Sequence, residues 1–75
     1  MTPNEALDKH LTALADSNSV AYRAKVRDLK HYLYISTSVL YDWRRGRSRI
    51  KPIYWPKITE ILGEDIFADF TNSEK

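Results

Sequence analysis

The sequence predicts a single all-α domain, a compact bundle of about five short helices. Apolar residues recur at helical spacing in four segments, and capping residues, prolines and two glycines mark where these segments begin and end. No segment shows the sustained apolar–polar alternation of a strand. With 75 residues, 43% of them hydrophobic, the chain can build one modest core and is too apolar for a disordered polypeptide.

Two helices are predicted in the N-terminal half. Residues 2–5, Thr-Pro-Asn-Glu, have the capping-box pattern with proline in the first turn, so a helix is expected over 3–16. Its buried stripe consists of three leucines: Leu7, Leu11 and Leu14. A second helix is expected over 20–33, with Ser19 as its cap. Its stripe again follows the helical period: Tyr22, Val26, Leu29 and Leu33.

The third helix is expected to begin at a cap formed by Ser36 or Thr37 and to end at Gly46, because glycine readily adopts the left-handed conformation that closes a helix. Its inward side consists of three residues: Val39, Leu40 and Trp43. The two tryptophans, Trp43 and Trp55, are expected in the core, although Trp55 can also stack at a partner surface.

A fourth helix is expected to begin near residues 53–55, with Pro56 in its first turn, and to end at Gly63. Its apolar stripe is Ile58, Ile61 and Leu62. Asp65 is expected to cap a short last helix, and residues 71–75 are expected to form a frayed tail. The apolar side of that helix either closes the core or forms a dimer surface: Ile66, Phe67 and Phe70.

The positive charge is concentrated in the middle of the chain. Residues 23–57 hold ten of the twelve Lys and Arg and only two acids, a net charge of +8, whereas the remainder carries −6. A dense basic region on one compact domain is typical of a surface that binds a polyanion.

Several classes of protein are not expected. Without cysteine, neither a disulfide scaffold nor a zinc finger is possible. His10 and His31 are isolated, no nucleophile–base pair is evident, and two glycines cannot make a glycine-rich phosphate loop. We therefore expect no enzyme, no metal or other cofactor and no small-molecule substrate. No apolar run approaches a membrane span and the N-terminus is no signal peptide, so a cytoplasmic location without membrane contact is expected.

The motifs of the C-terminal half resemble a known family. In order, these are STSVLYDW, Gly46, RSRIKP, WPKITEILG and the junction ILGEDIF. Their order and spacing over about residues 26–70 resemble the helix-turn-helix domains of the lambdoid phage repressors, the Cro/CI (XRE-type) family. The resemblance implies a transcriptional regulator that binds double-stranded DNA as a homodimer. Helices 2 and 3 would form the helix-turn-helix, with residues 36–45 as the recognition helix in the major groove.

Two residues depart from the family pattern. The family has a small residue midway through its second helix and a glycine in the following turn, where this chain has Lys30 and Tyr34. The stem of a lysine can extend out of such a helix contact and carry its charge to solvent.

The first two turns of the third helix contain the residues expected to contact bases. A helix N-terminus reaches base edges in the major groove, and hydroxyl, phenol and carboxylate groups can recognise them. The predicted base-contacting residues are Thr37, Ser38, Tyr41 and Asp42. The alternative is that Ser36 or Thr37 serves only as a cap and that Asp42 is an ordinary surface residue.

Eight basic residues and the hydroxyl of Ser36 are expected to contact phosphates, and arginine suits this because a guanidinium binds two phosphate oxygens at once. The predicted phosphate-contacting residues are Ser36, Arg44, Arg45, Arg47, Arg49, Lys51, Lys57, Lys25 and Arg27. For Arg44 the alternative is a structural ion pair with an acid of helix 1 such as Asp8. For Lys25 and Arg27 the alternative is that they only form the solvent-exposed side of helix 2.

Two other functions stay open at this point. The same fold can serve as a protein-interaction module such as an antitoxin or a phage inhibitor. Tyrosines interleaved with arginines can also bind RNA or single-stranded DNA by base stacking.

Overall fold

The computed structural model describes residues 1–72 and is all-helical, which confirms the predicted all-α class. The elements in chain order are α1 (Pro3–Ser17), α2 (Ser19–Leu33), α3 (Thr37–Arg45), a 3-10 turn (Pro52–Tyr54), α4 (Trp55–Leu62) and α5 (Ala68–Asn72). No strand occurs in these residues. None of their helices has the length and apolar character that a membrane span requires.

Helix α1 begins as predicted. Its capping box is present, because the side chain of Thr2 accepts the N–H of Glu5 and the side chain of Glu5 accepts the N–H of Thr2.

A single residue joins α1 to α2. The predicted cap of α2, Ser19, is wrong. Asn18 instead accepts the N–H of Ala21 at 3.1 Å through its side chain, while its own N–H donates to Leu14 O at 2.7 Å. Because Asn18 ends one helix and begins the next, no loop separates them.

The ends of α3 and α4 follow the sequence closely. Ser36, one of the two candidate caps, accepts the N–H of Val39 at 3.2 Å, so α3 itself begins at Thr37. Gly46 and Gly63 lie in the left-handed region, at φ 76° and 73°, and end α3 and α4. Pro56 lies in the first turn of α4, as predicted.

The turn between α2 and α3 contains an unusual backbone conformation. Tyr34 has φ 55° and ψ 42° and is the non-glycine residue with positive φ in the described part of the chain. This conformation costs an L-residue about 1–2 kcal/mol. With 94% of Tyr34 exposed, little packing offsets the strain. The chain thus makes the turn with a strained tyrosine where the resembling family has glycine.

The core lies between the apolar helix faces that the sequence predicts, except that Leu14 of the expected α1 stripe is only half-buried. Helix α1 packs against α2 and α3, and α2 packs against α4. The buried cluster includes both tryptophans and one residue from each apolar segment or more: Leu7, Leu11, Leu29, Leu33, Leu40, Trp43, Ile50, Trp55, Ile58, Leu62 and Phe67.

The C-terminal segment closes this core. Phe67 is 1% exposed and stacks on Trp55 with ring centroids 5.1 Å apart, so it cannot contribute to a dimer surface. Asp65 accepts the N–H of Phe67 at 3.1 Å and thereby caps a turn, whereas α5 begins only at Ala68. Helix α5 includes two residues of the expected tail, and residues 73–75 lie outside the described part.

Replacing Tyr34 with glycine should stabilise the domain. Glycine adopts the left-handed conformation without strain, and after its larger backbone entropy in the unfolded chain we expect a net gain of about 0.5–1 kcal/mol. Urea unfolding measures it. The matched control is Tyr32→Gly, at another exposed tyrosine inside α2, which should lose about 0.5 kcal/mol because its backbone is helical. Equal effects at the two positions would contradict the strain assigned to Tyr34.

Candidate nucleic-acid interface

The outward face of α3 contains most of the residues predicted to contact bases. Thr37, Ser38, Tyr41 and Arg45 are exposed, and their spacing of i, i+1, i+4 and i+8 places them on one side of the helix. Leu40 and Trp43 on the other side are buried. The face therefore combines two hydroxyls, a phenol and a guanidinium.

Asp42 and Ser36 differ from the expectation. Asp42 is half-buried at the edge of this face, and its carboxylate has no hydrogen bond or ion pair within residues 1–72. Its backbone oxygen accepts the N–H of Arg47 at 2.8 Å. The hydroxyl of Ser36 serves as the cap of α3, which is the alternative considered for it.

The side chain of Lys30 extends from α2 to the N-terminus of α3. Its Nζ donates to the Thr37 hydroxyl oxygen at 3.2 Å, and its side chain is only partly buried. The long side chain of Lys30 thus carries its ammonium group from α2 to the first residue of α3.

The basic loop after α3 comprises residues 46–51, and Asn4 fixes its first half. The amide of Asn4, in the first turn of α1, donates to Trp43 O at 2.8 Å and to Ser48 O at 2.7 Å. It therefore joins the last turn of α3 to the middle of the loop. The sequence places Asn4 only inside a capping box, because no local pattern indicates that its amide bonds residues 39 and 44 positions away.

The second half of the loop is fixed by the core. Ile50 is 1% exposed, and its backbone oxygen accepts the indole N–H of Trp55 at 3.1 Å. A lone isoleucine in an otherwise polar and basic segment was the available signal for this anchor. The loop backbone is consequently held at Ser48 and at Ile50.

Four cations project from this region without internal partners. Arg45, Arg47, Arg49 and Lys51 are exposed, and the part of the chain that the structure describes offers their side chains no hydrogen bond or ion pair. Like charges so close in sequence repel one another. The fixed backbone of the loop holds them together despite this repulsion, so the four positive charges stay on one small part of the surface.

Arg44 does not belong to this surface, which corrects its predicted phosphate role. Its guanidinium donates to Asp8 Oδ1 at 2.7 Å, to the Tyr22 hydroxyl at 2.8 Å and to the Thr12 hydroxyl at 3.2 Å. Its side chain is 16% exposed, against 44% for Asp8. The ion pair with Asp8 is the alternative that the sequence left open.

Burial of the Arg44 guanidinium opposes its charge, but the hydrogen bonds that Arg44 donates to Asp8 and Tyr22, together with the charge interactions with these two residues, hold the pKa of Arg44 above its ordinary value. A cation with a raised folded-state pKa stabilises the fold fully below its unfolded-state pKa, and this contribution is lost only as the pH rises through the folded-state pKa. For an arginine that window lies in strong alkali, so the network is intact at neutral pH.

Three other predicted phosphate contacts have partners within the fold. Lys25 Nζ donates to Ile61 O at 2.9 Å and so satisfies a carbonyl at the end of α4, a structural role that neither the phosphate contact nor the solvated helix side predicted. Two exposed cations lie loosely beside acids: Arg27 is 3.7 Å from Asp28, and Lys57 is 3.9 Å from Glu60. These pairs are weak and leave both cations accessible.

Comparison of the chain with protein-family models, with curated proteins and with solved structures found no match. The family resemblance therefore stays a prediction based on the motifs. Within residues 1–72, no three His, Asp or Glu side chains form a group that could hold a metal ion.

Replacing Arg44 with methionine should destabilise the domain by about 2 kcal/mol, because hydrogen bonds to charged groups contribute about 1.5–3 kcal/mol. Urea unfolding at neutral pH measures the loss. The matched control is Arg45→Met, which removes a neighbouring arginine without a partner in the described residues and should change stability by less than about 0.5 kcal/mol. If both variants lose the same stability, the network around Arg44 does not hold the fold together.

Replacing Asn4 with alanine should loosen the basic loop. Two hydrogen bonds are lost, so we expect a destabilisation of about 1–2 kcal/mol and faster amide exchange at Arg47, whose N–H bonds Asp42 O in the same turn. Hydrogen exchange followed by NMR gives both. Lys9→Ala, at an exposed α1 residue without a described partner, is the control and should leave the Arg47 amide unchanged.

Proposed function

We propose that this protein is a sequence-specific regulator of transcription that binds double-stranded DNA through a helix-turn-helix formed by α2 and α3. The observation that carries the proposal is the set of four cations on a fixed backbone beside the outward face of α3. Because cations without internal partners repel one another, their arrangement is favourable once an anion binds.

In this proposal the two parts of the surface have different tasks. Thr37, Ser38 and Tyr41 enter the major groove and contact base edges, with Asp42 at the edge as an acceptor for a cytosine amino group. Arg45, Arg47, Arg49 and Lys51 bind the phosphates on either side of the groove. The phosphate contacts set position and affinity, and the base contacts set the sequence.

One copy of this surface offers few base contacts, so we expect two copies to bind a palindromic site. Their half-sites would lie about 34 Å apart, one helical turn of DNA. Phe67, buried in the core, takes no part in their association.

A second candidate function is binding of single-stranded nucleic acid. It is favoured by three exposed tyrosines on α2, the turn and α3: Tyr32, Tyr34 and Tyr41, which are 55%, 94% and 51% exposed. Exposed aromatic rings beside cations can stack on unpaired bases.

Binding to random duplex DNA, measured against salt, tests the proposal. Four phosphate contacts per copy predict a log–log slope of about −3 to −4 for each bound copy. Arg47→Ala should weaken binding to all sequences alike and reduce the slope by about 1. The matched control is Lys9→Ala, which removes the same charge from an exposed α1 residue beside His10 and Glu64 and should leave the slope unchanged.

A single strand of equal length is the comparison ligand in the same titrations. Tighter binding to the single strand, with Tyr41→Ala reducing it, would support the second candidate. No binding to duplex DNA at about 50 mM salt, where nonspecific contacts are strong, would refute the proposed function.

A further inference from the structure

The contact between Lys30 and Thr37 determines which hydrogen-bonding groups the head of α3 offers. Lys30 Nζ lies 3.2 Å from the Thr37 hydroxyl oxygen, and Thr37 is the first residue of α3 and is exposed. The ammonium and the hydroxyl, which belong to different helices, therefore form a single polar group on the candidate interface.

The Lys30–Thr37 pair offers mainly hydrogen-bond donors. An isolated threonine hydroxyl can either donate or accept, whereas an ammonium group has three donors and no acceptor. Because Lys30 donates to Thr37 Oγ1, one lone pair of that oxygen is occupied and its proton is free to point away. Two N–H bonds of Lys30 also stay free. The pair consequently presents donors to an approaching ligand.

Stability does not account for this placement of Lys30. Lys30 lies in the last turn of α2, where a cation is favourable, but its ammonium group also lies at the N-terminus of α3, where a cation opposes the helix dipole, so the two effects offset each other. The partly exposed hydrogen bond to Thr37 contributes little. Removing the ammonium while keeping the stem should therefore leave the free energy of unfolding nearly unchanged. A ligand rich in acceptors is a better explanation for the charge at this position.

We propose that Lys30 and Thr37 together select guanine at one position of the bound DNA; this rests on the proposed function. In the major groove guanine presents two adjacent acceptors, O6 and N7. Adenine presents N7 beside an amino group, and that amino group would face the donors of the pair. Two donors from two helices match the guanine edge and disfavour adenine at the same position.

The test is selection of bound sites from random duplex DNA by the wild-type protein, Lys30→Met and Thr37→Val. Wild type should enrich a guanine at one position of each half-site. Changing that guanine to adenine should weaken wild-type binding about ten-fold or more, and each variant should lose most of this discrimination. Because the two residues act as a unit, the double variant should discriminate no worse than either single variant.

Two controls separate this role from simpler ones. Lys9→Met removes a lysine outside the candidate interface and should keep the guanine preference. Replacing the selected guanine with 7-deazaguanine changes only the DNA, by removing N7, and should weaken wild-type binding several-fold. This test does not depend on whether the protein variants fold.

The outcomes are distinguishable. Two outcomes would overturn the guanine assignment and leave the proposed function standing. In the first, wild type binds duplex DNA but enriches no guanine. In the second, Lys30→Met weakens binding to guanine and adenine sites equally. In the second case Lys30 would be a phosphate contact. Absence of duplex binding by wild type would overturn both.

Discussion

The position of α3 depends on the guanidinium of Arg44. Its contacts reach Asp8 and Thr12 on α1 and Tyr22 on α2, so one side chain near the end of α3 joins it to both neighbouring helices. A helix of nine residues has little stability by itself. Trp43, one residue earlier, is buried in the core, so an apolar anchor and an ionic anchor fix the same turn. The outward face of α3 and the loop after it take their orientation from that turn.

Adjacent arginines in this chain have opposite environments. Arg44 is enclosed by acceptors, whereas Arg45 and the next cations have no partner within the described residues. The acceptors of Arg44 lie 36, 22 and 32 residues away, so the sequence could offer the ion pair with Asp8 only as an alternative to a phosphate contact. The helical period does place Arg44 and Arg45 about 100° apart on α3, which allows one to face the protein and the other the solvent.

The sequence was most informative where structure is determined locally. Thr2 with Glu5, Gly46 and Gly63 set helix ends through their own side-chain and backbone chemistry, and periodicity identified the buried leucines and the outward face of α3. At the α1–α2 junction, Asn18 and Ser19 are both good caps, and local chemistry alone does not choose between them. Asn4, Lys25 and Lys30 were beyond local patterns for the same reason: each bonds a group on another segment.

Asn4 makes the conformation of the basic loop depend on the first turn of α1. Proteolysis that removed the first turn of α1 would leave every cation of residues 44–51 in place and the charge of that segment unaltered. It would nevertheless release Ser48 and the end of α3 from their shared amide donor. A shortened chain would then keep the charge of this segment but lose the fixed spacing of its cations. Under the proposed function, such a chain would still bind DNA of any sequence but would discriminate less between sequences.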